Sequence, residues 1–270
     1  MNWIKALPLL LPVLLSGCLE NRKNTEKLCL DNPVLQCERL NIHDGQCRVA
    51  RTDLIWHRYD ALSNPSIDNK ITEYQLTQTY QKCLELAAQI QVIDQTELKQ
   101  KRFSALINSG EDLKRLTQEL HQLRTPKALY FLWSQTGDKQ ARREFLQLEG
   151  KPELDNAEMQ YALATFYTTR DREKTLRLLI RALELSPENN INPEIFQSLA
   201  STYQTLGQKE NAYLWAMVGK QFGVQIASQA ELKLMYPFTD EKFSQINGLA
   251  DQLAKAIRKG EFTHRLVPSS

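Results

Sequence analysis

The chain has 270 residues, with 34 Lys and Arg against 32 Asp and Glu, and only 10 Gly and 10 Pro. So little turn chemistry beside 41 Leu and 23 Gln argues against a sandwich, a barrel or repeated βαβ units, and excludes a collagenous, low-complexity or mostly disordered chain. A net charge of +2 lacks the basic excess that a nucleic-acid partner needs, so the expectation is an all-α protein of one large or two small domains, with no nucleic-acid partner.

Residues 1–5 carry one Lys and lead into an apolar run, 6–15, that contains Pro8 and Pro12. The run falls short of the ~20 apolar residues that span a bilayer and fits the apolar stretch of a cleaved export signal. Leu15-Ser16-Gly17-Cys18 follows directly and resembles the lipobox of bacterial lipoprotein signal peptides. The resemblance implies that residues 1–17 are removed and that Cys18 becomes the lipidated first residue, its thiolate serving as the nucleophile in diacylglyceryl transfer. Two or more acyl chains anchor stably where one is marginal. In Gram-negative lipoproteins an Asp after this Cys favours the inner membrane, so Leu19 implies the periplasmic face of the outer membrane. An ordinary secretory signal with a chance Cys is the plainer alternative. Residues 18–28 read as a lipidated polar tether.

Four Cys remain, Cys29, Cys37, Cys47 and Cys83. An even number in an exported protein reads as two disulfides with three possible connectivities. Stretches 47–62 and 70–92 look helical and flank a turn cluster at 63–69. Cys47 and Cys83 lie equally far from Pro65 (65 − 47 and 83 − 65 are both 18), which puts both ~27 Å from the tip of an antiparallel hairpin. The expected pairs are Cys47–Cys83 and, across the turn at 31–33, Cys29–Cys37. Spacings of 8, 10 and 36 between successive Cys do not suit zinc, so neither a metal nor another cofactor is expected. A second hairpin is expected from 96–108 and 110–124, with Gly110 after the break and Leu113, Leu116, Leu120 and Leu123 as its apolar stripe.

From about residue 126 the chain is self-similar at 34–36 residues: Leu129, Leu163 and Leu199 correspond, as do Trp133, Tyr167 and Tyr203. Gly137 and Gly207 follow their aromatics by four residues, and Asp171 fills that place in the middle unit. These segments resemble tetratricopeptide repeats. Phe196, Leu199, Ala200, Tyr203, Gly207 and Ala212 occupy pattern positions in the last unit. Leu163, Ala164, Tyr167, Ala182 and Pro187 do so in the middle unit if its turn is one residue short. Tyr130 and Arg142 of the first unit stand where small residues are expected. An ordinary helical bundle is the alternative. Ser228 and Glu231 have capping-box spacing. Residues 240–259 begin acidic, end basic and place Phe243, Ile246, Leu249, Leu253 and Ile257 on one face, as a capping helix would. Residues 260–270 read as a flexible tail.

Four His are present, His43, His57, His121 and His264, and no catalytic, phosphate-binding or zinc-protease motif occurs. No catalytic residue is assigned, and no enzyme is expected. Glu153, Asp155 and Glu158 suit a helix N-terminus better than a glycosidase pair. The tetratricopeptide resemblance implies groove-facing residues on the first helix of each unit: Lys127, Phe131 and Ser134; Glu158, Tyr161, Thr165 and Thr168; Glu194, Gln197, Ser201 and Gln204. Phe131, Thr165 and Ser201 stand where the family's carboxylate clamp requires Asn or Lys, so that clamp is absent and an extended protein segment suits the surface better. A merely solvated polar face is the alternative.

Taken together, the lipobox, the cysteine set and the repeats resemble an uncharacterised family of Gram-negative lipoproteins with a domain of unknown function. The expected fold is an all-α, tetratricopeptide-like helical-repeat solenoid with a disulfide-pinned N-terminal helical hairpin. The expected segments are 1–17 signal, 18–28 tether, 29–125 disulfide-pinned region, 126–259 repeats and capping helices, and 260–270 tail. The expected role is a periplasmic adaptor that is anchored to the membrane by lipid and holds an envelope protein or peptide segment. The alternatives are an envelope enzyme or ligand-binding protein with a site near Trp56, His57 and Tyr59 in the disulfide region, and a purely structural envelope lipoprotein.

Overall fold

A computed structural model of the chain describes residues 24–90, 96–188 and 190–268; the export signal, Cys18 and most of the tether lie outside them. Twelve α-helices and four short 3-10 turns account for the regular structure of the described residues, which include no strand. The all-α expectation therefore holds. The chain forms two units, one through Lys114 and one from Arg115.

In the first unit, Asn24 caps α1 (Thr25–Asp31) by accepting the Lys27 N–H. Two 3-10 turns lead to α2 (Arg48–Ser63). The Ser66 side chain accepts the Asn69 N–H and starts α3 (Ile67–Ala87), three residues before the hydrophobic periodicity becomes visible. Helices α2 and α3 pack against each other. Cys47, the residue just before α2, bridges to Cys83 with Cα atoms 5.7 Å apart, and Cys29 bridges to Cys37 with Cα atoms 5.8 Å apart. Both pairings are the expected ones.

The apolar core of this unit is small, built around Leu35, Leu40, Leu54, Ile55, Tyr80 and Leu84. Beside it lie five buried charged residues: Asp44, Arg51, Arg58, Arg102 and Asp112. Such charges are tolerated only when paired and hydrogen-bonded, and these are. Arg102 grips Asp44 through Nε at 2.5 Å and Nη2 at 3.1 Å. Arg51 donates to the carbonyls of Asn41 and Asp44, both at 2.8 Å. Arg58 joins Glu73 at 2.9 Å to Asp112 at 2.7 Å. Burial pushes the Asp44 carboxyl up, but Arg102, the Gln46 N–H and Asn41 together hold it below its ordinary value. Burial pushes the Tyr80 hydroxyl, which donates to the Leu40 carbonyl, up to about 12.

Residues 96–124 correct the expected second hairpin: they form one helix, α4 (Thr96–Leu123). The inward-facing series Ala105, Ser109, Asp112, Leu116 and Leu120 stays buried across Gly110, and one helical Gly costs only about 1 kcal/mol against Ala. A Cβ at Gly110 would meet only the end of the Gln81 side chain, at 3.4 Å, and the helix runs through the glycine without a break.

The second unit begins with three helical hairpins. They are α5 (Pro126–Thr136) with α6 (Lys139–Leu146), α7 (Ala157–Tyr167) with α8 (Arg172–Glu184), and α9 (Glu194–Thr205) with α10 (Lys209–Gln221). Short polar side chains start several of these helices: Thr125, Asp138, Asn156 and Asp171 each accept a first-turn N–H. Gly137 and Gly207 turn the chain at φ 72° and 75°, a conformation that L side chains rarely adopt. The aromatic lies five residues before the residue that starts the second helix in the outer hairpins (Trp133 to Asp138, Tyr203 to Gln208) and four in the middle one (Tyr167 to Asp171). Counted from the aromatic, the middle unit reaches its second helix one residue sooner, yet four residues (168–171) join its two helices, against 137–138 and 206–208 in the outer hairpins. In the first hairpin the small, fully buried residue of the second helix is Ala141; Arg142, taken from the pattern, is only half-buried. Tyr130 does not obstruct packing either, since its ring lies 5.8 Å from those of Trp133 and Phe145.

Helices α11 (Gln229–Met235) and α12 (Asp240–Arg258) follow, α11 with the expected Ser228–Glu231 capping box and α12 packed on α10. The core here is larger and aromatic-rich. Phe196 stacks on Phe222 at 4.7 Å and lies 6.4 Å from Trp215. Gly219 lets α10 approach this cluster, because a Cβ there would sit 3.0 Å from that of Phe196. The segment expected to be a flexible tail is instead docked through residue 268. Phe262 is buried against Trp215, and the His264 N–H donates to Glu184 at 2.8 Å. Burial pushes the Glu184 carboxyl up, and its bonds from His264 and Arg181 outweigh that and hold it low.

Candidate functional site

The first helix of each hairpin carries the residues singled out for a groove. Lys127 Nζ on α5 lies 3.1 Å from Glu158 Oε2 on α7. One hairpin further on, the Tyr161 hydroxyl on α7 donates to Glu194 Oε2 on α9 at 2.9 Å. The two contacts join corresponding places: the residue two before the aligned Leu of one unit (Lys127, Tyr161) meets the residue five before that of the next (Glu158, Glu194). Four of the selected residues are thereby brought together across three helices.

The remaining polar residues, Ser134, Thr165, Thr168, Gln197, Ser201 and Gln204, are exposed. The hydroxyls of Ser134, Thr165, Thr168 and Ser201 donate to carbonyls of their own helices at 2.7–3.3 Å, which leaves their oxygens able to accept. Gln197 and Gln204 make no side-chain hydrogen bond among the described residues, so each offers an amide donor and acceptor to whatever lies on this face. Phe131 departs from the expectation: it is 6 % exposed and belongs to the core, so it offers no aromatic anchor on the surface.

Tyr130 takes part instead. Burial pushes its hydroxyl up, the Thr165 side chain beside it pulls it down, and the charges of Glu194 and Glu158 push it up again. Burial also raises the Tyr161 hydroxyl, as do its bond to Glu194 and that carboxylate's charge. Tyr161 therefore stays protonated and donates to Glu194, and the charges of Glu158 and Glu194 also reach Tyr130. Tyr130 lies inside α5, half-buried, where the repeat pattern expects a small residue, so the sequence gives no sign of this placement.

The residues near the disulfides do not assemble a site around His57. Its Nε2 lies 2.7 Å from the Asn69 carbonyl, and Trp56 Nε1 donates to Thr25 Oγ1 at 3.0 Å. Tyr59 is exposed, edge-on to Trp56 at 6.1 Å. A cavity of about 650 Å³ in the same unit is lined by other residues, His43 among them. His121 pairs with Asp138 at 2.6 Å. Among the described residues no group of three or more His, Cys, Asp or Glu could hold a metal ion, and no helix is long and apolar enough to cross a membrane.

A family model described as "Protein of unknown function (DUF2989)" matches residues 15–217, more than half of the chain. Comparison with curated proteins and with solved structures finds no match.

Proposed function

The chain belongs to the DUF2989 family of proteins of unknown function, and we propose that it is a bacterial outer-membrane lipoprotein, anchored through Cys18, whose α5–α7–α9 face holds an extended segment of a partner protein in the periplasm. The observation that carries the reading is the repeated contact along that face, Lys127 to Glu158 and then Tyr161 to Glu194. A contact that recurs between equivalent positions is what stacked tetratricopeptide-like units would generate. It also fixes side chains in advance, which lowers the ordering cost of binding. The three hairpins at a 34–36-residue period support the repeat assignment. The two disulfides fit an oxidising compartment, and the lipobox-like Leu15–Cys18 stretch supports the anchor. Tethering would raise the effective concentration of any partner on the same membrane.

Photo-crosslinking in intact cells from positions 161 and 165, both on this face, tests the adaptor role. A discrete protein adduct that disappears with Glu194→Ala is expected. Repeated absence of any protein adduct would sink the reading. Fatty-acid labelling should be lost in Cys18→Ser, and labelling that persists in the variant would contradict the anchor.

A further inference from the structure

The cavity of the first unit is used by nothing in that reading. It lies between α1, the turns that follow it and the start of α4. Its apolar lining is the Cys29–Cys37 disulfide with Ile42 and Ala105, and Leu30, 81 % exposed, stands on its open side. A volume of about 650 Å³ falls in the range of sites that enclose small ligands or a few side chains.

The charges on its rim are not balanced. Three carboxylates, Glu26, Glu38 and Glu97, share it with Arg39 and Lys101. Both cations are already countered. Lys101 Nζ lies 2.7 Å from Glu97, and Arg39 lies 3.0 Å from Glu111 and 3.6 Å from Asp112. The side chains of Glu26 and Glu38 have neither an ion pair nor a hydrogen bond among the described residues. Two carboxylates without an ion pair thus line the cavity together with its apolar groups.

We propose that this cavity binds an extended polypeptide segment in which Lys or Arg alternates with aliphatic side chains. The aliphatic groups would cover Leu30, Ile42 and the disulfide, and the cations would face Glu26 and Glu38. An acidic segment would meet like charge at the rim, and a purely polar one would leave the apolar groups uncovered. The site involves no residue of the α5–α7–α9 face and stands independently of the function proposed for it.

The test is fluorescence anisotropy of the full chain with labelled acetyl-Leu-Lys-Leu-Lys-Leu-amide, beside versions with Glu for Lys and with Ser for Leu. The basic aliphatic peptide is expected to bind saturably, roughly tenfold tighter than either comparison peptide, and to weaken as salt rises. Glu26→Gln with Glu38→Gln should weaken it about tenfold and flatten the salt dependence. Leu30→Ser should weaken it without changing that dependence. All three side chains are exposed, so these variants leave the fold intact. Equal binding of the basic and acidic peptides, unchanged binding in the double variant, or no saturable binding overturns the proposal. Self-association of the chain that the peptide competes away would make a second copy the occupant and would overturn it equally.

Discussion

The two units solve the same problem, holding a helical fold together, by different means. The first has a small apolar core, both disulfides and all five of the charged residues that are buried among the described residues. The second has a broad aromatic and aliphatic core, and among its described residues the buried polar ones are Thr175, Thr202 and Asn211. A unit with little apolar area to bury needs other restraints: covalent links that limit the unfolded chain, and ion pairs that specify the packing once their desolvation is offset. The second unit has the larger apolar core and, among the described residues, neither a disulfide nor a buried charged residue.

Reduction should separate the units most sharply. The Cys47–Cys83 link is worth about 3–4 kcal/mol and Cys29–Cys37 about 2–3 kcal/mol on the chain-entropy view. Hydrogen exchange of the full chain with and without dithiothreitol should therefore show protection falling across 24–114 and holding across 126–258. Equal loss in both would break the contrast.

Next comes Asp44→Ala, which leaves Arg102 buried without its counter-charge and should cost about 3–5 kcal/mol, read as a lowered urea midpoint for the first unit alone. The same carboxylate gives that unit an acid dependence. Its folded-state pKa lies below the ordinary value, so its stabilisation is complete above the ordinary aspartate range and is lost as pH falls through the lower, folded value. Urea midpoints taken from pH 7 down to pH 3 should show this loss in the wild type and a shallower one in Asp44→Asn.

The smallest effect belongs to the second unit. Gly219→Ala would force its Cβ against Phe196 and should cost about 1–3 kcal/mol, seen as a lower melting temperature with protection of 24–114 unchanged. A neutral result would mean that α9 and α10 can separate slightly, and that this core is less tightly packed than the disulfide-bonded one.

Much of this was legible in the sequence. Local signals marked the helix starts: Ser228 with Glu231, and the acidic first turn of α12. Equal distances from Pro65 paired Cys47 with Cys83. Corresponding aromatics located the three hairpins. The errors share one cause, which is that a residue type was read as a local signal where its neighbours in space decided the outcome. Residues 96–108 and 110–124 looked like two helices with a break between them, yet a buried series from Ala105 to Leu120 carries one helix through. Phe131 looked like a surface anchor, yet its side chain turns into the core. Residues 260–268 looked loose, yet Phe262 had Trp215 to pack against.

The sequence by itself determined the helical class and many helix starts, because hydrophobic period and capping act over a turn or two of helix, while equal spacing from Pro65 only favoured the Cys47–Cys83 pairing. Tertiary structure alone decided which polar residues meet. Lys127 with Glu158, Tyr161 with Glu194 and Asp44 with Arg102 lie 31 to 58 residues apart, and no local preference links them. The same holds for the cavity beside Cys29–Cys37, whose lining comes from two stretches, 26–43 and 97–108. Such pairs and pockets arise only when helices are packed, since packing sets which side chains leave water together and which remain to meet a partner.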